Sequence, residues 1–396
     1  MGAGMKVDEL MALRAHRERY SAGERAFSAP ARVNLIGEHT DYTGGVVMPM
    51  AIDFHTVAVL SAREDGRVVF YSDNFKEEAV FELAGTGWVR RGHWSDYPAG
   101  VVWVLRQMGV AIAGFNMTLV GDVPVGAGLS SSASVQVATA MALLDHLELE
   151  MSLEEIATIC RRAENEFVGA KTGIMDQFVV LGGVEHRAMM LDCRSMEYEL
   201  LPLPDDVRVV ICNSMVKHSL ADGEYGDRRD EVETGQAVVV REREGVASLR
   251  DATLEDLEAC SEKMSAASLA RCRHIVTENV RVLQAKKALL AEDMVGFGEL
   301  MREAHASFRD DFGASCAEVD TLVAIAQRQP GCYGGRITGG GFGGCTVNLV
   351  KADATETFVA AVRREYKEAT GIVADCFVCA PSDGALALKS IKKGQK

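Results

Sequence analysis

The feature that most restricts the fold of this chain is a run at residues 334–344, Gly-Gly-Arg-Ile-Thr-Gly-Gly-Gly-Phe-Gly-Gly, with seven glycines in eleven positions. Ordering a glycine costs more backbone entropy than ordering any other residue, so a fixed structure here must offset that cost through close packing or ligand approach. A flexible linker would carry no such cost. Residues 345–350, Cys-Thr-Val-Asn-Leu-Val, read as a strand directly after the run, and order on that side argues against a linker. The chain holds 38 glycines among 396 residues, above the usual share of about 7%. Part of that excess gathers beside the boundaries of expected elements.

A second cluster, Pro-Val-Gly-Ala-Gly-Leu-Ser-Ser-Ser-Ala-Ser at 124–134, feeds into an apolar helical stripe over 132–146. Glycines let backbone N–H groups come close to an anion, serines add donors, and a helix N-terminus favours negative charge. Taken alone, the cluster reads equally as an anion loop or as an ordinary capping turn. It lacks the Gly-Lys-Ser/Thr ending of a Walker loop and the G-x-G-x-x-G spacing of a dinucleotide fingerprint.

Two polar segments stand out as well. Residues 32–45, Arg-Val-Asn-Leu-Ile-Gly-Glu-His-Thr-Asp-Tyr-Thr-Gly-Gly, crowd Glu38, His39 and Asp41 together. Such donors and acceptors suit a polyhydroxylated ligand, with a plain surface loop as the alternative. Residues 164–177, Glu-Asn-Glu-Phe-Val-Gly-Ala-Lys-Thr-Gly-Ile-Met-Asp-Gln, place Glu164 at an expected helix end and Asp176 in an otherwise apolar setting. That pair can divide metal binding from proton acceptance.

Composition narrows the function classes. With 42 Lys and Arg against 57 Asp and Glu, the formal charge is -15, which opposes general binding to nucleic acid or anionic membranes. The first 29 residues lack the apolar core of a signal peptide, and nowhere do 18 apolar residues run together, so a cytoplasmic protein is expected. Ten cysteines are too dilute for a disulfide framework. The C-x-x-C pair of Cys376 and Cys379 has no second pair or nearby histidine to complete a zinc site, and reads as reduced thiols on a packed strand.

Periodicity predicts strands at 56–60, 68–71 and 116–120, and helices at 100–108, 132–146 and 152–167, the last opening on a Ser152/Glu155 capping box. Strands at 187–198 and 207–213 lead into helices at 228–244, 254–270, 277–291 and 293–308. A strand at 345–350, a helix at 355–370 and a strand at 374–380 follow. This order favours a two-lobed α+β protein over a regular βαβ series. A soft boundary near residue 200 separates 1–200 from 201–396.

Together, and in this order, the four segments resemble those of the galactokinases, within the superfamily that also holds homoserine, mevalonate and phosphomevalonate kinases. Residues 32–45 resemble the sugar signature, 124–134 the phosphate loop, 173–178 the catalytic-aspartate segment and 334–345 the third superfamily motif. The resemblance implies a two-lobed kinase fold with its active site between the lobes, ATP as phosphoryl donor, Mg2+, and D-galactose phosphorylated at its C1 hydroxyl. Asp176 would lie beside the anomeric hydroxyl and Arg32 beside the reacting oxygens. Glu38, His39, Asp41, Gly173 and Tyr225 would shape the sugar pocket. Gly126, Ala127, Gly128, Leu129, Ser130, Ser131 and Ser132 would wrap the nucleotide phosphates, Trp94 would flank the adenine, and Ser132 with Glu164 would hold Mg2+. An N-acetylgalactosamine or arabinose kinase, or a non-catalytic galactose-sensing relative, would use similar segments. A monomer is expected, with a homodimer as the alternative. Ala31, Thr172 and Ile337 depart from common choices in such motifs, which questions backbone geometry at Ala31 and packing at Thr172.

Overall fold

The computed structural model describes residues 6–20, 25–85, 87–124, 127–217 and 221–386. Helix α1 (Glu9–Tyr20) precedes strands β1 (Ala26–Ile36), β2 (Val46–Ala62), β3 (Arg67–Ser72) and β4 (Glu77–Glu82). There follow α2 (Asp96–Gln107), β5 (Phe115–Gly121), α3 (Ser131–His146), α4 (Leu153–Arg162), α5 (Met175–Gly182), β6 (Arg187–Asp192) and β7 (Tyr198–Pro202). These strands make one sheet in the order β4-β3-β5-β2-β6-β7, with β1 paired to β2. Strand β2 is its hub, pairing with β1 along most of its length, with β5 at 56–62 and with β6 at Val46 and Val47. Helices α2 to α5 cover one face, where Phe70, Phe115 and Met117 of the sheet meet Val101, Val137, Leu143, Ile156 and Phe178.

The second half comprises β8 (Val207–Lys217), α6 (Ala221–Glu242), α7 (Leu254–Ala259), α8 (Ala266–Leu290), α9 (Met294–Ser307), α10 (Ala317–Gln327), β9 (Cys332–Thr338), β10 (Gly343–Lys351), α11 (Thr355–Thr370) and β11 (Asp375–Cys379). Its four strands form an antiparallel sheet, β11-β8-β10-β9. Strand β8 reads as a continuous apolar run because both its faces are buried. Val209 and Ile211 enter a core shared with β1 and β2, whereas Val210 and Cys212 join the core under α10 and α11. In the shared core Val33, Leu35, Met48 and Met50 meet Val347, Leu349, Val282, Phe297 and Met301. Burial of each such side chain contributes about 1.5–3 kcal/mol, so the two sheets are joined by packing as well as by chain connection.

The expected two-lobed α+β architecture is present, with three local corrections. The polar segment at 32–45 begins as buried strand: Ala31, Val33 and Leu35 face the shared core, so polarity alone misled. Residues 187–198 are not one strand but β6, a turn with Met196 at φ 62, and the start of β7. The helices expected at 254–270 and 277–291 are redistributed: α7 stops at Ala259, and Ser265, whose side chain accepts from the Ser268 N–H, caps one long α8. Ala31 is buried in β1 without a left-handed backbone, so nothing there requires glycine. All ten cysteines are free, and Cys376 and Cys379 lie buried on β11. Among the described residues no helix is long and apolar enough to cross a membrane.

After β11 the chain returns to the first sheet. Pro381 bridges Ile52, the Ser382 N–H donates to the Ala51 carbonyl at 3.0 Å, and the Gly384 N–H donates to the Gly183 carbonyl at 2.8 Å.

The run at 334–344 is itself a hairpin, ending β9, turning through Gly339 and Gly341 at φ +87° and +91°, and starting β10. Strand and helix backbones touch beside it. A Cβ on Gly334 would come within 2.5 Å of the Gly298 Cα in α9, and a Cβ on Gly298 would collide with the Tyr333 carbonyl. Close approach therefore accounts for these two glycines, and the linker reading falls away. Gly298→Ala is expected to lower unfolding free energy by about 3 kcal/mol through overpacking. Gly226→Ala, in α6 with open space around it, should raise it by about 0.5–1 kcal/mol through helix propensity. Urea denaturation checks both, and a Gly298→Ala protein of unchanged stability would refute the contact.

Candidate active site

Where β1 passes the N-termini of α3 and α5, a cavity of about 580 Å³ opens. Its walls include Arg32, Trp94, Gly128, Leu129, Ser130, Ser131, Ser132, Glu164 and Asp176, so most of the residues expected to handle phosphates, metal and proton transfer converge. Arg32 grips Asp176 in a fork: Nε donates to Oδ1 and Nη2 to Oδ2, both at 2.7 Å. Its Nη1 donates to the Gly128 carbonyl at 2.7 Å, so one guanidinium ties the carboxylate to the glycine-serine loop. Burial works against the Arg32 charge, but Asp176 outweighs it and holds the group above its ordinary value.

The loop supports an anion site by an unusual N-cap. Ser130 occupies that position of α3 in the left-handed region, φ 54°, and its side chain makes no capping bond to the helix. The hydroxyl donates instead to Asp176 Oδ2. The first N–H groups of α3 are thereby left without that cap, at the positive end of the helix dipole. Ser131 and Ser132 begin the helix and line the cavity. Ala127 is buried in the core between the sheets, and Gly126 lies outside the described residues.

Glu164 lies where α4 widens into a π-turn over Ala163–Val168. Burial, then the charge of Asp176, pushes its carboxyl up to about 7, against hydrogen bonds from Ser132 and Gln177. A second carboxylate beside Asp176, with a hydroxyl at hand, suits a hard cation with oxygen ligands. Among the described residues no three His, Cys, Asp or Glu side chains form a metal cage. Mg2+ needs none, because it is commonly held by one or two carboxylates together with substrate phosphates. Thr172, which departs from the common choice, clasps Asn165: its N–H and hydroxyl donate to Asn165 Oδ1 at 3.0 and 2.9 Å, closing the loop that leads to Asp176.

The expected sugar residues form a knot beside the cavity and are not among its lining. A Cβ on Gly173 would collide with the Asp41 carboxylate, which accounts for glycine there. His39 packs on Phe312 and Tyr225 with ring centroids 4.2 and 5.2 Å apart. Burial, then His274, pushes its imidazole down to about 3, so it is neutral. Glu38 accepts from Gly339 N–H at 2.9 Å, Thr338 Oγ1 at 3.1 Å and Arg336 Nη1 at 3.3 Å, which ties the polar segment to the glycine hairpin.

Sequence reasoning missed part of the cavity. Phe75 stacks on Trp94 with centroids 6.3 Å apart and an interplanar angle of 22°, and Asn74, Tyr97 and Thr56 also line the wall. Trp94 Nε1 donates to Glu77 Oε2 at 3.1 Å, which fixes the indole. No spacing signal marks Asn74 and Phe75, since they sit in a short turn between β3 and β4.

Comparison with known proteins gives three family matches: the galactokinase galactose-binding signature over residues 14–62, the GHMP kinases N-terminal domain over 96–183 and the GHMP kinases C-terminal region over 285–368. A galactokinase of Roseiflexus sp. (strain RS-1) is 42% identical over 356 residues, covering 90% of this chain and 91% of that protein. One from Fusobacterium nucleatum is 39% identical over 372 residues, 93% and 96% of the two chains. The crystal structure of Lactococcus lactis galactokinase complexed with galactose superposes with a TM-score of 0.89 at 34% identity, covering 94% and 97%. Methanococcus jannaschii mevalonate kinase, at 17% identity and TM-score 0.65, covering 92% and 100%, shares the fold.

Asp41 supplies a test of the site's electrostatics without ligand. Burial, then the charges of Asp176 and Glu38, pushes its carboxyl up to about 6 from an ordinary 3.8. A raised carboxyl favours the fold when protonated, and that advantage is lost as pH rises from the unfolded value through the folded one. Asp41→Asn is therefore expected to stabilise the ligand-free protein, by an amount that grows from about pH 4 to 6 and is flat above. Calorimetric thermal midpoints across that range check it; a gain independent of pH would refute the assignment.

Proposed function

The chain belongs to the galactokinase family, and on that premise we propose that its cleft transfers the γ-phosphoryl group of ATP to the C1 hydroxyl of D-galactose, giving galactose 1-phosphate and ADP. The observation that carries this reading is the Arg32 fork, which joins Asp176 to the Gly128 carbonyl and so sets a proton acceptor beside an anion loop. In-line phosphoryl transfer asks mostly for positioning and charge stabilisation, which such a fixed arrangement supplies.

Asp176 orients the sugar hydroxyl and accepts its proton as the bond to phosphorus forms. It lies in the first turn of α5, and Arg32 and Ser130 hold both of its oxygens. Arg32 keeps further N–H donors for oxygens that gain charge during transfer. The loop at 127–132 and the N-terminus of α3 receive the phosphates, and the stacked Phe75 and Trp94 offer a face for the adenine. Ser132 and Glu164 are the residues that would hold Mg2+, which when bound would neutralise phosphate charge. Asp41, with Gly173 making room for it, accepts sugar hydroxyls, while Glu38, His39 and Tyr225 shape the wall behind it. The division proposed near residue 200 leaves Arg32, the phosphate loop and Asp176 in the first part and the Thr338–Gly340 turn in the second. ATP and D-galactose are the proposed partners, acting on a cytoplasmic monomer.

Asp176→Asn is expected to lower kcat by about 10²–10⁴-fold while the fold and galactose affinity are largely kept. Stopped assays of ADP release alongside calorimetric galactose binding check this; near-normal turnover would remove Asp176 from the mechanism. An ATP-dependent panel of galactose, N-acetylgalactosamine, arabinose and glucose, with the phosphorylated carbon identified by NMR, tests the whole reading. Preference for another sugar, or phosphate on another carbon, would overturn it.

A further inference from the structure

The amide of Gln177 has no part in the roles given above. It is wholly buried in α5, one residue beyond Asp176. Successive side chains on a helix point about 100° apart, so while Asp176 meets Arg32, Gln177 projects from a different face of α5. Its Nε2 donates to Glu164 Oε2 at 2.6 Å. Gln136 of α3, also wholly buried, lies against it with Oε1 at 3.5 Å from the same Nε2. Gln177 Oε1 and Gln136 Nε2 are both buried without a hydrogen-bond partner.

Leaving a buried amide oxygen unmet costs stability that an apolar side chain of the same size would not. Packing therefore does not account for Gln177, whereas the bond to Glu164 does. An amide is also the suitable donor at that place. It gives the carboxylate an N–H without adding a negative charge to repel it or a positive charge to compete with a cation.

We propose that Gln177 is a positioning residue that fixes the Glu164 carboxylate for a divalent cation, so that the adjacent pair Asp176 and Gln177 sets both the proton acceptor and the metal ligand. This rests on the reading of Glu164 as a metal ligand. Neighbouring bonds support the same geometry: Glu164 is the second residue of the π-turn, and the next residue, Asn165, is clasped by Thr172 from the far side of the loop. Side-chain donors from Ser132 and Gln177 hold the direction of the Glu164 carboxylate.

Binding rather than turnover tests the proposal. The non-hydrolysable imido analogue of ATP is titrated calorimetrically into wild type, Gln177→Met and Glu164→Gln, with and without Mg2+, and galactose is titrated separately. Gln177→Met is expected to lose about 10–100-fold of the affinity gain that Mg2+ confers, with Mg2+-free nucleotide affinity and galactose affinity within about twofold of wild type. An undiminished Mg2+ gain in Gln177→Met, alongside its loss in Glu164→Gln, overturns this proposal and leaves the metal reading standing. A full Mg2+ gain in Glu164→Gln overturns both. Equal loss of nucleotide affinity with and without Mg2+, or a parallel loss of galactose affinity, marks a merely structural role and also overturns it. Should Gln177→Met not fold, Gln177→Asn, an amide one methylene too short to reach Glu164, is read against the same outcomes.

Discussion

The Arg32 guanidinium is the point through which the active cleft is organised. Its side chain is 6% exposed and that of Asp176 20%, so the pair is drawn out of water, a cost that bidentate geometry and further hydrogen bonds must offset. The third bond, to the Gly128 carbonyl, is what makes the pair more than a local contact. It couples the end of α5 to the loop before α3, two elements 46 residues apart as counted from Ser130 to Asp176. A lysine could supply the charge but not the fork, because its ammonium is a point donor.

Close backbone approach is the second constraint, and it links the two sheets at the cleft. The turn of the β9–β10 hairpin lies against the glycine-serine loop, with Gly339 near the Gly128 carbonyl and a Cβ on Gly128 in van der Waals contact, 3.4 Å, with the Thr338 carbonyl. Glu38 binds the same turn through Gly339 and Thr338, so the polar segment, the glycine hairpin and the glycine-serine loop share contacts. Both glycines hold a left-handed backbone, φ +74° at Gly128 and +87° at Gly339, which a residue with a side chain adopts only under strain. The glycine excess of the chain is in this sense a requirement of backbone conformation placed at a site.

Much of the fold was legible because its signals were periodic. Helix α11 is the predicted 355–370, and the Ser152/Glu155 capping box opens α4 as expected. Strand β1 was harder, since Pro30, Asn34 and the polar residues after Ile36 hide a short alternation of Ala31, Val33 and Leu35 that only a partner sheet explains. The side chains of the candidate site were legible through motifs, but their mutual contacts were not. Nothing in a run of serines says that Ser130 turns away from its own helix to Asp176, and nothing in the dipeptide Asp176-Gln177 says that the amide serves Glu164. Such bonds depend on which way neighbouring elements face, and that is decided by tertiary packing.

The return of residues 381–384 to the first sheet has a consequence for how the protein is made. Ala51, Ile52 and Gly183 receive partners that leave the ribosome long after they do, because Pro381 follows Ile52 by 381 − 52 = 329 residues. At about 5–20 residues per second that interval is on the order of tens of seconds. During synthesis, Ala51 and Ile52 of β2 therefore gain these partners only after the last strand of the second sheet, β11, has been made.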